Sequence, residues 1–302
     1  MNRILLLVLL LLISCNKESV SPEETFLLVS PAATNIAYST DDESHYVLKS
    51  KLNNQNKLVL FIGGSYSVPK DYNRLCEYLA TLGFDIISLS YPNQVATAPL
   101  GTSADKLIFD TYRDEVCFGN SVSQEVSVDP LNSINDRLIN LLQFLANKYP
   151  GQRWGDYLSN QQTPEWSKIL LAGHSQGAGH AAYLAKKRLV HRVILFSGPN
   201  DYSSYYQAAG NWLQMPGLTS AANHYALVHE LDEIVPFTNQ VVNLKALGLL
   251  TPEESPMPAG GLTSTFNEAR ALSINSPALS FHNSTVGANP QLPTIWKYLF
   301  GR

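Results

Sequence analysis

The sequence predicts an α/β protein: one doubly wound, mostly parallel sheet with helices on both faces. Short apolar runs alternate along the chain with stretches whose apolar residues recur at helical spacing. Gly63-Gly64 and Gly198-Pro199 close two of these runs, as turn-forming residues do at strand ends. A third run leads through Gly173-His174-Ser175-Gln176-Gly177 straight into a helical stretch. Strands alternating with helices in this way build parallel sheets. The 302 residues are 45% hydrophobic and 15% charged, enough apolar material for a large core. A formal net charge of -4 with no basic stripe gives no support to nucleic-acid binding.

The N-terminus comes before the domain. Asn2-Arg3 is followed by Ile4 to Ile13, a run without charge. It is too short to span a bilayer and has the length of a signal-peptide apolar region. It ends in Leu12-Ile13-Ser14-Cys15, which resembles the bacterial lipobox. That resemblance implies a signal peptide over 1–14, acylation of Cys15, and a polar tether over 15–25. The protein would then sit in the bacterial cell envelope, periplasmic or outward-facing, with the membrane as partner through its lipid anchor. An ordinary cleaved signal with an incidental cysteine is the alternative. Cys76 and Cys117 are compatible with one disulfide in an oxidising compartment and equally with two separate buried thiols.

A single domain is expected over 26–302. His45-Tyr46-Val47-Leu48 and Lys57 to Ile62 read as strands. Tyr72, Leu75, Cys76, Leu79 and Leu82 then mark a helix stopped at Gly83, and Phe84 to Leu89 is the next strand. Asn93 to Asp129 breaks this rhythm and is expected to be an irregular excursion. Asp129-Pro130 has the form of an N-cap with proline at the first helical position. Ile134, Leu138, Leu141, Leu142 and Leu145 give that helix its apolar face, and Tyr149-Pro150-Gly151 ends it. After a connector from Trp154 to Trp166, strands are expected at Lys168 to Ala172, Arg192 to Phe196, Tyr225 to Val228 and Ala269 to Ile274. A helix follows the first of these, from about Gln176 to Arg188. Thr251 to Gly261 holds three prolines and two glycines and reads as a loop.

The pentapeptide Gly173-His174-Ser175-Gln176-Gly177 is G-x-S-x-G between a strand and a helix, the context of a nucleophile elbow. Its glycines have a steric purpose, because so sharp a turn brings backbone against the positions two before and two after the serine. Here the chain resembles the α/β-hydrolase family, over nearly all of its length after the leader. In that family the acid and the histidine follow the serine in that order. Asp232, in Asp232-Glu233-Ile234-Val235-Pro236, matches the family's acid position three residues before Val-Pro. Of seven histidines only His282 lies beyond Asp232. The resemblance therefore implies Ser175 as nucleophile, His282 as base and Asp232 as the group that orients it. Asp201, after Phe196-Ser197-Gly198-Pro199-Asn200, is the alternative acid, since some family members draw it from that earlier strand.

For the oxyanion, the resemblance implies the backbone N–H of Gln176 and a second donor from Gly63-Gly64-Ser65-Tyr66, Ser65 first and Tyr66 as alternative. His174 and His180 read as packing residues. No His/Cys/Asp/Glu cluster has metal-binding spacing and no phosphate loop is present, so a reaction without cofactor is expected. Tyr202, Tyr205, Tyr206 and Trp212 fit either a substrate pocket or a core face. The expected activity is hydrolysis of a carboxylic ester through an acyl-enzyme. A peptidase or acyltransferase using the same residues is an alternative. So is a non-catalytic binding lipoprotein on a hydrolase scaffold, because the fold alone does not choose.

Overall fold

The computed structural model describes residues 26–39, 41–52, 55–260 and 265–301. The segments expected to be signal peptide and tether, with Cys15, lie outside the described residues. Strands β1 (Phe26–Val29), β2 (His45–Leu48) and β3 (Leu58–Ile62) lead to helix α1 (Asn73–Thr81) and strand β4 (Asp85–Leu89). Helices α2 (Ile108–Phe118) and α3 (Ile134–Lys148) follow, then β5 (Ile169–His174), α4 (Gln176–Lys187), β6 (Arg192–Phe196) and β7 (His224–His229). The chain continues through α5 (Phe237–Ala246), β8 (Met257–Pro258), β9 (Ala271–Ile274) and α6 (Leu292–Leu299).

These strands form one nine-stranded sheet in the order β1-β2-β4-β3-β5-β6-β7-β9-β8. The two pairs at the β1 edge are antiparallel and the rest are parallel. All residues of β3, β4 and β5 are buried, which is why they read as continuous apolar runs rather than alternating ones. One apolar layer packs α2, α3, α4 and α5 against the sheet; the other packs α1 and α6 against its opposite face. From β3 the chain first steps outward to β4 and later returns to β5 on the other side of β3. The crevice beside β3 and β5 is thus a switch point, where open α/β sheets place their sites.

Several boundaries differ from the sequence reading. Asp129 does cap a turn, accepting from Leu131 N at 2.9 Å, but only the short 3-10 turn Pro130–Asn132. The cap of α3 is Ser133, whose Oγ accepts from Asp136 N at 3.2 Å. The excursion from Asn93 holds a full helix, α2, ended by Gly119 at φ 68°. Charged residues within its buried face, Arg113 and Glu115, hide its apolar periodicity. Glu115 accepts backbone N–H bonds from Val122, Ser123 and Val128 and so ties down the loop after the helix. Cys76 and Cys117 are free thiols in the two opposite apolar layers, so the sheet itself separates them.

Four buried histidines are neutral in this fold. Burial lowers His45 and His174 to about 3, His224 to about 4 and His180 well below the ordinary 6.5. The charges of Arg137 on His45 and Arg113 on His180 add to the effect. The unfolded chain protonates these rings near pH 6.5 and the folded chain does not, so stability is full above that pH and is lost as pH falls below it. Each histidine contributes a slope of up to about 1.4 kcal/mol per pH unit. Urea unfolding between pH 7.5 and 4.5 is therefore expected to show a midpoint that falls steeply below about 6.5. A midpoint constant across that window would contradict the buried, neutral assignment.

Candidate active site

β5 runs between β3 and β6, ends at His174, and hands over to α4 at Gln176, so a single residue makes the turn. That residue, Ser175, has φ 55° and ψ −121°. A non-glycine residue there is strained and persists only where its surroundings hold it. Glycines allow those surroundings to close in. A Cβ on Gly173 would lie 2.2 Å from the Gly177 carbonyl oxygen, and one on Gly177 only 2.0 Å from that of Ile62. The amide of Ser175 donates to Phe196 O at 2.8 Å, fixing the turn to β6. Ser175 sits at the N-terminus of α4, where free amides favour negative charge.

Asp232 and His282 are brought together. The Nδ1 of His282 lies 2.8 and 3.0 Å from the two carboxylate oxygens of Asp232. Asp232 also accepts from Ile234 N (2.9 Å), Val235 N (2.8 Å) and Gln240 Nε2 (3.0 Å). Burial alone would raise its pKa. The hydrogen bond and charge of His282, with the Val235 and Ile234 amides, outweigh burial and hold it below the ordinary value. Val235 and Ile234 belong to the Ile-Val-Pro segment, so the sequence context of the acid is the set of amides that keep it ionised.

The backbone of His282 is held from both sides. Its N–H donates to Glu233 Oε2 at 3.0 Å, and its carbonyl accepts from Ser197 Oγ at 2.7 Å and from His174 Nε2 at 3.1 Å. His174 precedes Ser175, and its ring centroid is 4.9 Å from that of His282. The imidazole therefore lies beside the elbow. No hydrogen bond joins Ser175 Oγ to His282 in this structure, a bond that in free enzymes often closes only when substrate binds.

The loop after β3 packs on Ser175. A Cβ on Gly64 would stand 3.2 Å from that of Ser175. The Gly64 amide donates to Tyr72 Oη (2.8 Å) and the Tyr66 amide to Asn93 O (3.2 Å). The Tyr66 N–H is thus occupied by the Asn93 carbonyl. The Ser65 N–H has no partner among the described residues. The Gln176 side chain joins the pieces, its Oε1 accepting from Ser65 Oγ (2.7 Å) and Thr97 N (3.1 Å).

Asp201 lies elsewhere. It is fully buried and pairs with Arg113 of α2 through bonds of 2.5 and 3.0 Å, and it accepts from Trp212 Nε1 at 2.7 Å. Its oxygens are engaged there and make no hydrogen bond to His282, whose Nδ1 meets Asp232 instead. Trp212 is core, whereas Tyr205 and Tyr206 are exposed. Arg113 also donates to the Gln176 carbonyl at 2.7 Å, and its guanidinium fills the space left by Gly179, where a Cβ would meet Nη2 at 2.1 Å. No motif marks Arg113; the one available signal is a second glycine inside α4, a costly residue there unless something must approach closely. Among the described residues, no group of three or more His, Cys, Asp and Glu is arranged to hold a metal ion.

No protein-family model matches the chain, and no curated protein matches it in sequence. Solved structures do resemble it. An acetyl xylan esterase from Aspergillus awamori is 13% identical with a TM-score of 0.38, over 68% of this chain and 74% of that one. A protein of Thermus thermophilus is 16% identical with a TM-score of 0.44, over 85% and 92%. Esterase 2 of Thermogutta terrifontis is 12% identical with a TM-score of 0.39, over 84% and 83%. These likenesses assign the chain no substrate. Its largely parallel sheet, the helices on both faces and the strand-elbow-helix turn after β5 are those of the α/β-hydrolase fold.

Proposed function

We propose that the protein is a serine hydrolase that cleaves a carboxylic ester through a covalent acyl-enzyme. The observation that carries this reading is the contact of Asp232 with Nδ1 of His282 beside a strained serine elbow. With Nδ1–H donated to the carboxylate, Nε2 is free to act as base. It takes the Ser175 hydroxyl proton as Oγ attacks the ester carbonyl carbon. The developing oxyanion is met by the N–H groups of Gln176 and Ser65. Collapse expels the alcohol, which leaves with the proton from His282, and water then repeats the sequence on the acyl-enzyme. No step calls for a cofactor.

Tyr66, Leu231, Ile234 and Leu279, close in sequence to these residues, are exposed apolar side chains.

Three substitutions test the roles, with ester turnover and unfolding measured on each. Ser175→Ala is expected to abolish turnover. Asp232→Asn is expected to fold and to lose about ten-thousandfold in rate, because the imidazole takes the wrong tautomer. Asp201→Asn should do the opposite. Breaking the buried pair with Arg113 should destabilise the fold by about 3–5 kcal/mol while the folded fraction retains its rate. Turnover that survives Ser175→Ala, or a rate loss confined to Asp201→Asn, would overturn the assignment.

The second part of the proposal is export as a lipoprotein, carried by Leu12-Ile13-Ser14-Cys15 closing an uncharged run. The mature protein is expected to begin at Cys15, to carry lipid and to partition into detergent, and Cys15→Ser should abolish both properties. A mature form without lipid that begins elsewhere would refute it.

A further inference from the structure

Two buried side chains that take no part in the proposed chemistry connect its components. The Gly64 amide donates to Tyr72 Oη at 2.8 Å, Tyr72 Oη lies 3.3 Å from His174 Nδ1, and His174 Nε2 lies 3.1 Å from the carbonyl oxygen of His282. The direction of every bond in this chain is forced. An amide N–H can only donate and a carbonyl can only accept. His174 must therefore carry its proton on Nε2 and accept on Nδ1, and the Tyr72 hydroxyl must donate to it. Both rings are at least 96% buried, and Tyr72 packs on Phe61 with ring centroids 4.5 Å apart. Burial keeps His174 neutral, the only state in which Nδ1 can accept.

The two ends of this chain matter. Gly64 precedes Ser65, the proposed second oxyanion donor, and its own N–H is drawn toward Tyr72. The other end is the backbone of the proposed base. Between them, His174 is covalently joined to the proposed nucleophile. We propose that Tyr72 and His174 are positioning residues that lock the Gly64-Ser65 donor loop and the His282 backbone into one unit on either side of Ser175. The inference rests on the hydrolase reading above. Its physical consequence is that the oxyanion donor and the base cannot shift independently. Misplacement of such groups by as little as about 1 Å can lower rates by a hundredfold.

A device of this kind acts on the transition state, so its loss should appear in kcat and not in KM. Tyr72→Phe removes the hydroxyl and keeps the packing on Phe61, and His174→Leu removes both ring nitrogens. Each is expected to lower kcat about tenfold to a hundredfold, with KM within about twofold. His174→Gln, which restores an amide donor toward the His282 carbonyl, should recover part of the loss relative to His174→Leu. The double variant should be no slower than the slower single one, because one broken link already frees the unit. Wild-type kcat in folded Tyr72→Phe would overturn the proposal. So would losses that multiply in the double variant, or changes confined to unfolding midpoint or KM. If His174→Leu does not fold, Tyr72→Phe decides alone. A wild-type protein without Ser175-dependent turnover would overturn the hydrolase reading and this inference with it. Turnover in the wild type with unaffected variants would overturn only the inference.

Discussion

Between Gly177 and the carbonyl oxygens of Ile62 and Gly63 there is no space for one additional carbon atom. A Cβ there would stand 2.0 and 2.4 Å from them. This contact seats the first turn of α4 on the end of β3, and the geometry of the site depends on it. It forces the sharp turn at Ser175, brings the Gly64-Ser65 loop onto the serine, and sets the Gln176 side chain where it bonds Ser65 and Thr97. Any side chain at position 177 would separate the helix from the strand and so move Ser175 away from the Gly64-Ser65 loop. The strain at Ser175 is the local consequence of this close packing.

A second constraint acts from the other side of α4. Arg113 is completely buried, and such a charge is tolerated only when its donors are matched. Asp201, the Gln176 carbonyl and Asn200 supply the acceptors. These partners come from the loop after β6 and from the start of α4, whereas Arg113 comes from α2. The pair therefore fastens the long excursion between β4 and β5 to the base of the elbow. Gly179 completes the arrangement by leaving room for the guanidinium. Two glycines of one helix thus serve different neighbours, a strand for Gly177 and a buried cation for Gly179.

Much of this was legible in the sequence where one residue type answers one steric or chemical need. The strand runs and the elbow glycines follow from short local patterns, whereas the order of Ser175, Asp232 and His282 is what the family resemblance implies. Asp232 meets His282, and the Ile-Val-Pro segment beside it supplies two amides that bind the carboxylate. What escaped was interaction between distant segments. Arg113 and Glu115 stand in a stretch that reads as an irregular excursion, yet both are buried against partners that sequence distance conceals. Asp129 and Ser133 compete for the same helix start, and only the backbone path shows that the serine caps α3. The fates of Cys76 and Cys117 turn on which face of the sheet each helix covers. Tyr66 and Ser65 are adjacent and chemically equivalent as backbone donors. The Asn93 carbonyl alone separates them.

In the proposed reaction two backbone amides, those of Gln176 and Ser65, face the charge that develops when Ser175 attacks an ester. A crystal structure of the protein after reaction with a small alkyl phosphonate tests this most directly, because the tetrahedral phosphorus stands in for the attacked carbon and its oxygen for the oxyanion. The expected result is phosphorus bonded to Ser175 Oγ, with the phosphoryl oxygen about 2.7–3.1 Å from both amide nitrogens and His282 Nε2 turned toward the serine. Phosphorus bonded to another residue, or a phosphoryl oxygen away from both amides, would contradict the account.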